Sequence, residues 1–207
     1  MFLLAAVNVS IVFTGILLYI WRLQYVFPDF ALYLLAFLIL TLFIHRDSFQ
    51  QLGFGSQGMA ASLKLLIGPT LILAGFLVMV GFVTGVFENW TWSADKAASA
   101  FKYFSWCLFQ QFGLQSFFTN RLLSIFSRPN RAAWASAAVF AIFHIPNPVL
   151  MPVTFFGGYI LTRVFIAHRN LIPLAISQAV IGMTLSLVIP TAWHHGLRVG
   201  PGYYKFH

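Results

Sequence analysis

Apolar segments follow one another almost without interruption along this chain of 207 residues, and that succession leaves too little polar surface to face water. A hydrocarbon layer about 30 Å thick is crossed by roughly 20 helical residues. Segments near Phe2 to Ile20, Phe30 to Ile44, Leu65 to Val86, Ala94 to Phe126, Ala132 to Phe143, Pro152 to Ala167 and Pro173 to Pro190 approach or exceed that length, the second, fifth and sixth being short. Charged residues make up 8% of the chain, against about a quarter in soluble domains, while 24 Phe and six Trp need cover. Lipid is the solvent that these numbers demand. With no water in the bilayer core, backbone groups must bond within the protein, which favours helices. The expected fold is an all-α, polytopic transmembrane bundle of about seven helices, six to eight, forming one integral membrane domain over residues 1–207.

The formal charge of +8 does not make a nucleic-acid face, because the Lys and Arg are scattered between apolar stretches rather than clustered. They suit loops that face anionic head groups. Divided by alternate sides, Arg46, Lys64, Arg121, Arg128, Arg131, Arg163 and Arg169 fall with the N-terminus, and Arg22, Lys96, Lys102, Arg198 and Lys205 fall opposite. That split puts the N-terminus in the cytoplasm. The single cysteine, Cys107, excludes an internal disulfide and reads as a small core hydrophobe.

Local punctuation fits these boundaries. Ser93 can cap the fourth helix with Asp95 in its first turn, and Ser127 to Asn130 reads as a turn after it. Trp90, Trp92, Trp106 and Trp193 lie near expected helix ends, as interfacial aromatics do. His45 to Ser62, centred on Leu52-Gly53-Phe54-Gly55, reads as an interfacial elbow, and His194 and His195 as interfacial or solvated.

Uncharged polar residues inside the spans carry the remaining information, since an amide in hydrocarbon needs a partner. Gln110-Gln111 is followed by Gln115, with Gln111 and Gln115 on one helical face, and Ser116, Thr119 and Asn120 extend the polarity. His144 closes Phe140-Ala141-Ile142-Phe143-His144 just before Pro146-Asn147-Pro148, and Ser177-Gln178 interrupts the seventh segment. Gln111, Gln115, His144 and Gln178 are therefore expected to face one interior cavity.

In spacing and order this pattern resembles the CPBP family of intramembrane endopeptidases, which includes the prenyl-protein (CAAX) proteases and bacteriocin-processing proteins. The resemblance covers about Trp106 to Gly182, with the elbow also similar. It implies a catalytic set made of two adjacent glutamates, an arginine, a histidine in Phe-x-x-x-His and a second histidine followed four residues on by Asn or Asp. Gln110 and Gln111 stand at the glutamate positions, Gln115 at the arginine, His144 at the first histidine, Gln178 at the second and Gly182 at the Asn or Asp. Only His144 is unchanged.

In the family, the resemblance implies, a glutamate takes a proton from water while histidines and a polar side chain stabilise the oxyanion. Glutamine keeps the shape of glutamate but accepts no proton near neutral pH. The expected function is thus that of a pseudoprotease, catalytically inactive, which binds or scaffolds a membrane partner as an accessory subunit of a larger complex. The alternative is an active endopeptidase of altered mechanism that uses His144. The sequence implies no metal and no cofactor; a buried histidine permits porphyrin ligation without suggesting it. The expected partners are the lipid bilayer, here the bacterial inner membrane, and another membrane protein.

Overall fold

The computed structural model of the protein describes residues 2–85 and 94–205, with the backbone alone for residues 94–98. Trp90, Trp92 and Ser93, and the side chains of Asp95 and Lys96, lie outside the described residues. Helix α1 (Phe2–Leu18) runs through a π-helical turn (Tyr19–Leu23) into α2 (Gln24–Val26). After α3 (Phe30–Ile44) and α4 (Met59–Val83), α5 (Ala94–Gln111) continues through a π-helix (Phe112–Thr119) into α6 (Asn120–Ile125). Next come α7 (Pro129–Ile142), α8 (Leu150–His168) and α9 (Leu171–Val188). The chain then folds into α10 (Thr191–His194), a 3-10 turn (His195–Leu197) and α11 (Pro201–Tyr204).

The described residues thus make seven long helical passes and form a helical membrane bundle. Four stretches, Phe2–Val26, Met59–Val83, Leu150–His168 and Leu171–Val188, are long and apolar enough to cross a membrane, and Phe30–Ile44 is a shorter apolar helix. The sixth expected segment is longer than anticipated because α8 starts two residues before Pro152; proline fits the first turn of a helix, where its missing N–H is no loss. The fourth is not one regular helix, since the π-helix interrupts it. Outward faces are apolar, with Phe43 76%, Ile72 76% and Val83 83% exposed, as lipid allows and water does not.

Packing pairs α4 with α9, α7 with α8, and α5 with α9. Leu66 meets Leu171 and Leu174, and Leu77 meets Leu185 and Val188, so α4 and α9 run parallel. Cys107 packs against Ala175 and Ala179 as a small core residue.

The elbow between α3 and α4 is tied to the bundle by polar contacts. Arg121 and Asp47, both nearly buried, form an ion pair. Asn120 Nδ2 donates to the Gln51 carbonyl at 3.0 Å, Ser116 Oγ to the Leu52 carbonyl at 2.6 Å and Asn170 Nδ2 to the Gly55 carbonyl at 2.6 Å. Gly58, with φ +74°, closes the elbow where a Cβ would lie 2.0 Å from the His168 carbonyl oxygen, so a side chain there is excluded twice over. Residues 45–58, 120–121 and 169–170 therefore share one end of the bundle.

The C-terminal segment forms the other end as a strap. The Gly200 N–H donates to the Ile145 carbonyl at 2.8 Å. Buried Asn147 donates to the carbonyls of His194 at 2.7 Å and Arg198 at 3.0 Å. Lys205 Nζ lies 4.6 Å from the Tyr25 ring centre. His194 is buried rather than solvated, in contrast to the sequence expectation. Its Nδ1 accepts from the Leu197 N–H at 3.2 Å, and its Nε2 bonds the Ile189 carbonyl at 3.1 Å, so both ring nitrogens are occupied by the strap's own backbone. His195 stacks on Tyr203 with ring centres 4.0 Å apart.

Candidate functional site

Position along α5 and its π-helical extension decides which way each amide faces. Gln115 Nε2 donates to Gln111 Oε1 at 3.0 Å, four residues back, and to Thr162 Oγ1 of α8 at 3.2 Å. Gln111 Nε2 donates to Gln178 Oε1 of α9 at 2.7 Å, and Gln178 Nε2 donates to Gln110 Oε1 at 2.6 Å. At the far end the Thr119 hydroxyl donates to Gln115 Oε1 at 2.9 Å. Its proton is then spent, so Ser136 of α7, 2.9 Å away, is the donor to Thr119. Six side chains from α5 and its extension, α7 and α9 thus form one head-to-tail chain that ends on Gln110.

Gln111 and Gln115 are fully buried within this chain and do not line the cavity beside it. Gln110, Gln178 and His144 do. The expectation that Gln111, Gln115, His144 and Gln178 all face one cavity is corrected to that extent: neighbouring hydroxyls and amides satisfy the first two, whose burial removes them from the open space. His144 lies in the turn after α7 rather than on the helix itself. Its Nδ1 bonds the Phe140 carbonyl at 2.6 Å and its ring packs edge-on against Phe140. That bond needs the proton on Nδ1 and leaves Nε2 as the acceptor nitrogen.

The cavity has a volume of about 760 Å³. Val12, Ile16, Leu34 and Leu38 of the α1–α3 hairpin form one wall, and residues of α5, α7, α8 and α9 the opposite one. Gln24, Tyr25 and Arg198 lie in the lining contributed by the end of α1–α2 and the strap. Tyr103, eight residues before Gln111, also lines it. Its hydroxyl stands 2.1 Å from where a Cβ on Gly182 would be, so a tyrosine from α5 fills the space that a side chain at position 182 would claim.

Several polar residues take other roles. Ser116 and Asn120 turn to the elbow, and Ser177 bonds Thr70 Oγ1 at 2.6 Å, joining α4 to α9. Tyr103, Thr162 and Ser136 were not singled out from the sequence. Tyr103 could have been found, since seven residues, or about two helical turns, separate it from Gln110. Thr162 and Ser136 lie on distant segments with no local signal. Among the described residues, no three of His, Cys, Asp and Glu gather as a metal set.

A family model described as type II CAAX prenyl endopeptidase Rce1-like matches residues 69–184, more than half of the chain. The chain belongs to the Rce1-like family. The match starts within α4 and ends within α9, so the Rce1-like region holds the whole amide chain, His144 and Tyr103. The α1–α3 hairpin, the elbow and the strap lie outside it. No curated protein and no solved structure matches the chain.

Chemically, the Rce1-like site of this chain presents amides, a phenol and one imidazole. Amides and hydroxyls can bind and orient, but they transfer no proton near neutral pH. Among the described side chains, Asp29 and Asp47 are the carboxylates; Asp29 stands at the start of α3, and Asp47 is paired with Arg121 in the elbow. Neither lines the cavity.

Proposed function

We propose that the protein is a catalytically silent intramembrane protease, a pseudoprotease that holds a membrane partner as an accessory subunit of a larger membrane complex. The observation that carries this reading is the closed amide chain: the positions where the family resemblance implies a general base are Gln110 and Gln111, and both are bonded to Gln178. A general base contributes about 10²- to 10⁴-fold to such a reaction, and a glutamine at either position cannot serve as one. The charge-poor, aromatic outer faces give a partner helix apolar surface to pack on.

The elbow end carries Arg46, Arg121, Arg128, Arg131 and Arg169, and we place it in the cytoplasm of a bacterial inner membrane, with the N-terminus on that side. The test is cleavage of prenylated and unmodified peptides by purified protein, beside native-gel migration in mild detergent. No turnover together with a stoichiometric membrane partner is the expected result. Turnover abolished by both His144→Ala and Gln111→Ala would instead establish an endopeptidase of altered mechanism. Migration as a free monomer would remove the scaffold role.

A further inference from the structure

Two nitrogens of the Rce1-like site have no partner among the described residues. Gln178 Nε2 donates to Gln110 Oε1, which leaves the Gln110 amino group as an open donor at the end of the amide chain. The His144 Nδ1 proton is spent on the Phe140 carbonyl, which leaves Nε2 as an open acceptor on a side chain only 8% exposed. The fully buried side-chain atoms without a partner among the described residues are Ser62 Oγ and Arg121 Nε. The Gln110 and His144 nitrogens are therefore not sealed off but reachable from the cavity that both residues line. In an apolar surround, a donor and an acceptor each cost free energy until something bonds them.

The cavity does not end at α8. Val153, Gly157 and Leu161, four residues apart and so on one face of that helix, line it together with Ile181 of α9. The same four residues line a second space of about 290 Å³ between α4, α8 and α9. At Gly157 the partition has no side chain, and a Cβ there would meet no atom within 4 Å. The two spaces therefore meet across Gly157. The second is a groove on the outer face, bordered by Phe156 and Ile160, which are 61% and 44% exposed. Its lining is apolar apart from Thr70 and Ser177, which bond each other.

From these observations we infer that the site binds a neutral single-chain lipid with a hydroxyl head, the head at Gln110 and His144 and the alkyl chain passing Gly157 into the α4–α8–α9 groove. A hydroxyl accepts from Gln110 and donates to His144 Nε2. A carboxylate or an ether only accepts and an ammonium only donates, so each leaves one of the two nitrogens without a partner. The cavity volume of about 760 Å³ lies within the range of roughly 300–1,000 Å³ that takes small molecules. Fatty alcohols and monoalkylglycerols share the required chemistry of one chain and a neutral hydroxyl head. The inference goes beyond the proposed function: it needs neither catalytic silence nor a protein partner, and its test measures neither.

The probe is hexadecylglycerol carrying a diazirine near the end of its chain. It is irradiated with the full-length protein in phosphatidylcholine nanodiscs, which contain no hydroxyl-headed detergent, and the labelled residues are read by mass spectrometry. Saturable labelling within residues 66–73, 152–161 or 177–181 is expected. Unlabelled hexadecylglycerol or hexadecanol should remove that label at a concentration about tenfold or more below that of their O-methylated derivatives, which accept hydrogen bonds but do not donate them. Which of the two competes at the lower concentration assigns the source, glycerol ether or alcohol. His144→Phe should abolish the difference between the hydroxyl compounds and their methyl ethers, and Gly157→Leu should remove the label from the groove. Equal competition by hydroxyl and methylated compounds in the wild-type protein, label that no competitor removes, or competed label confined to other residues would overturn the inference even if neither variant folds.

Discussion

The Tyr103 hydroxyl lies 2.1 Å from the point where a Cβ on Gly182 would sit, so these two positions, one on α5 and one on α9, compete for one volume. Any side chain at 182 displaces the tyrosine ring, and the shape of the site depends on the pair rather than on either residue. Gly182→Ala and Gly182→Asn are each expected to lose about 1–3 kcal/mol of stability through overpacking. Tyr103→Ala added to either should recover part of that loss. Thermal unfolding of the single and double variants in detergent measures it; additive losses would mean that the two side chains do not meet.

Gln111→Leu leaves Gln178 Oε1 without its donor in a buried setting, for an expected loss of about 1–3 kcal/mol. The double variant Gln110→Glu with Gln111→Glu restores carboxylates but not the groups at 115, 178 and 182, and should not give full peptidase turnover. Vigorous cleavage by that variant would show that the pair alone silences the enzyme.

The ion pair of Arg121 and Asp47 is nearly buried, so removing one partner strands the other. Asp47→Ala is expected to cost about 3–5 kcal/mol, whereas Asp47→Leu with Arg121→Met should cost less than either single change. Limited proteolysis at the elbow reports the loosening directly.

Burial is the first reason that the His194 imidazole titrates below its ordinary 6.5, with neighbouring His195 acting in the same direction and bonds to backbone carbonyls opposing it. The unfolded chain then binds the proton more readily than the folded one. His194's contribution to stability is complete above about 6.5 and declines as pH falls below it. His45 is also held low, by burial first and then by Arg121, and adds a decline of the same sign at the elbow. Melting temperatures measured from about pH 7.5 to about pH 5.5 should fall for the wild type and fall less for His194→Gln. Identical profiles would show that the strap is insensitive to this proton.

A cysteine placed between Arg128 and Arg131 should be labelled only from the cytoplasmic side by a membrane-impermeant thiol reagent. Labelling from outside would reverse the orientation proposed from the basic residues.

The helices were legible because lipid imposes a length and an apolarity that few other environments demand: Phe30–Ile44 coincides with its expected segment, and the boundaries of α8 differ by a few residues where Pro152 enters the first turn. The joining of Gln111 and Gln115 followed from their spacing of four. His144 was harder, because a histidine after a helical run can cap the helix or sit within it, and only the Phe140 carbonyl decides. Adjacent histidines near a tail read as interfacial or solvated, and the solvated reading of His194 fails because Asn147, 47 residues earlier, draws that segment into the protein. The Tyr103–Gly182 relationship left almost no trace, since a glycine does not announce what fills the space beside it.

Every donor in the chain from Ser136 through Thr119, Gln115, Gln111 and Gln178 aims toward Gln110, so the small dipoles of these groups add instead of cancelling. The sum is a net moment with its positive end at the cavity. Turning one amide alone would set two donors face to face on one side and two acceptors on the other. Each amide's orientation is therefore fixed by its neighbours, and the array keeps its polarity as a unit.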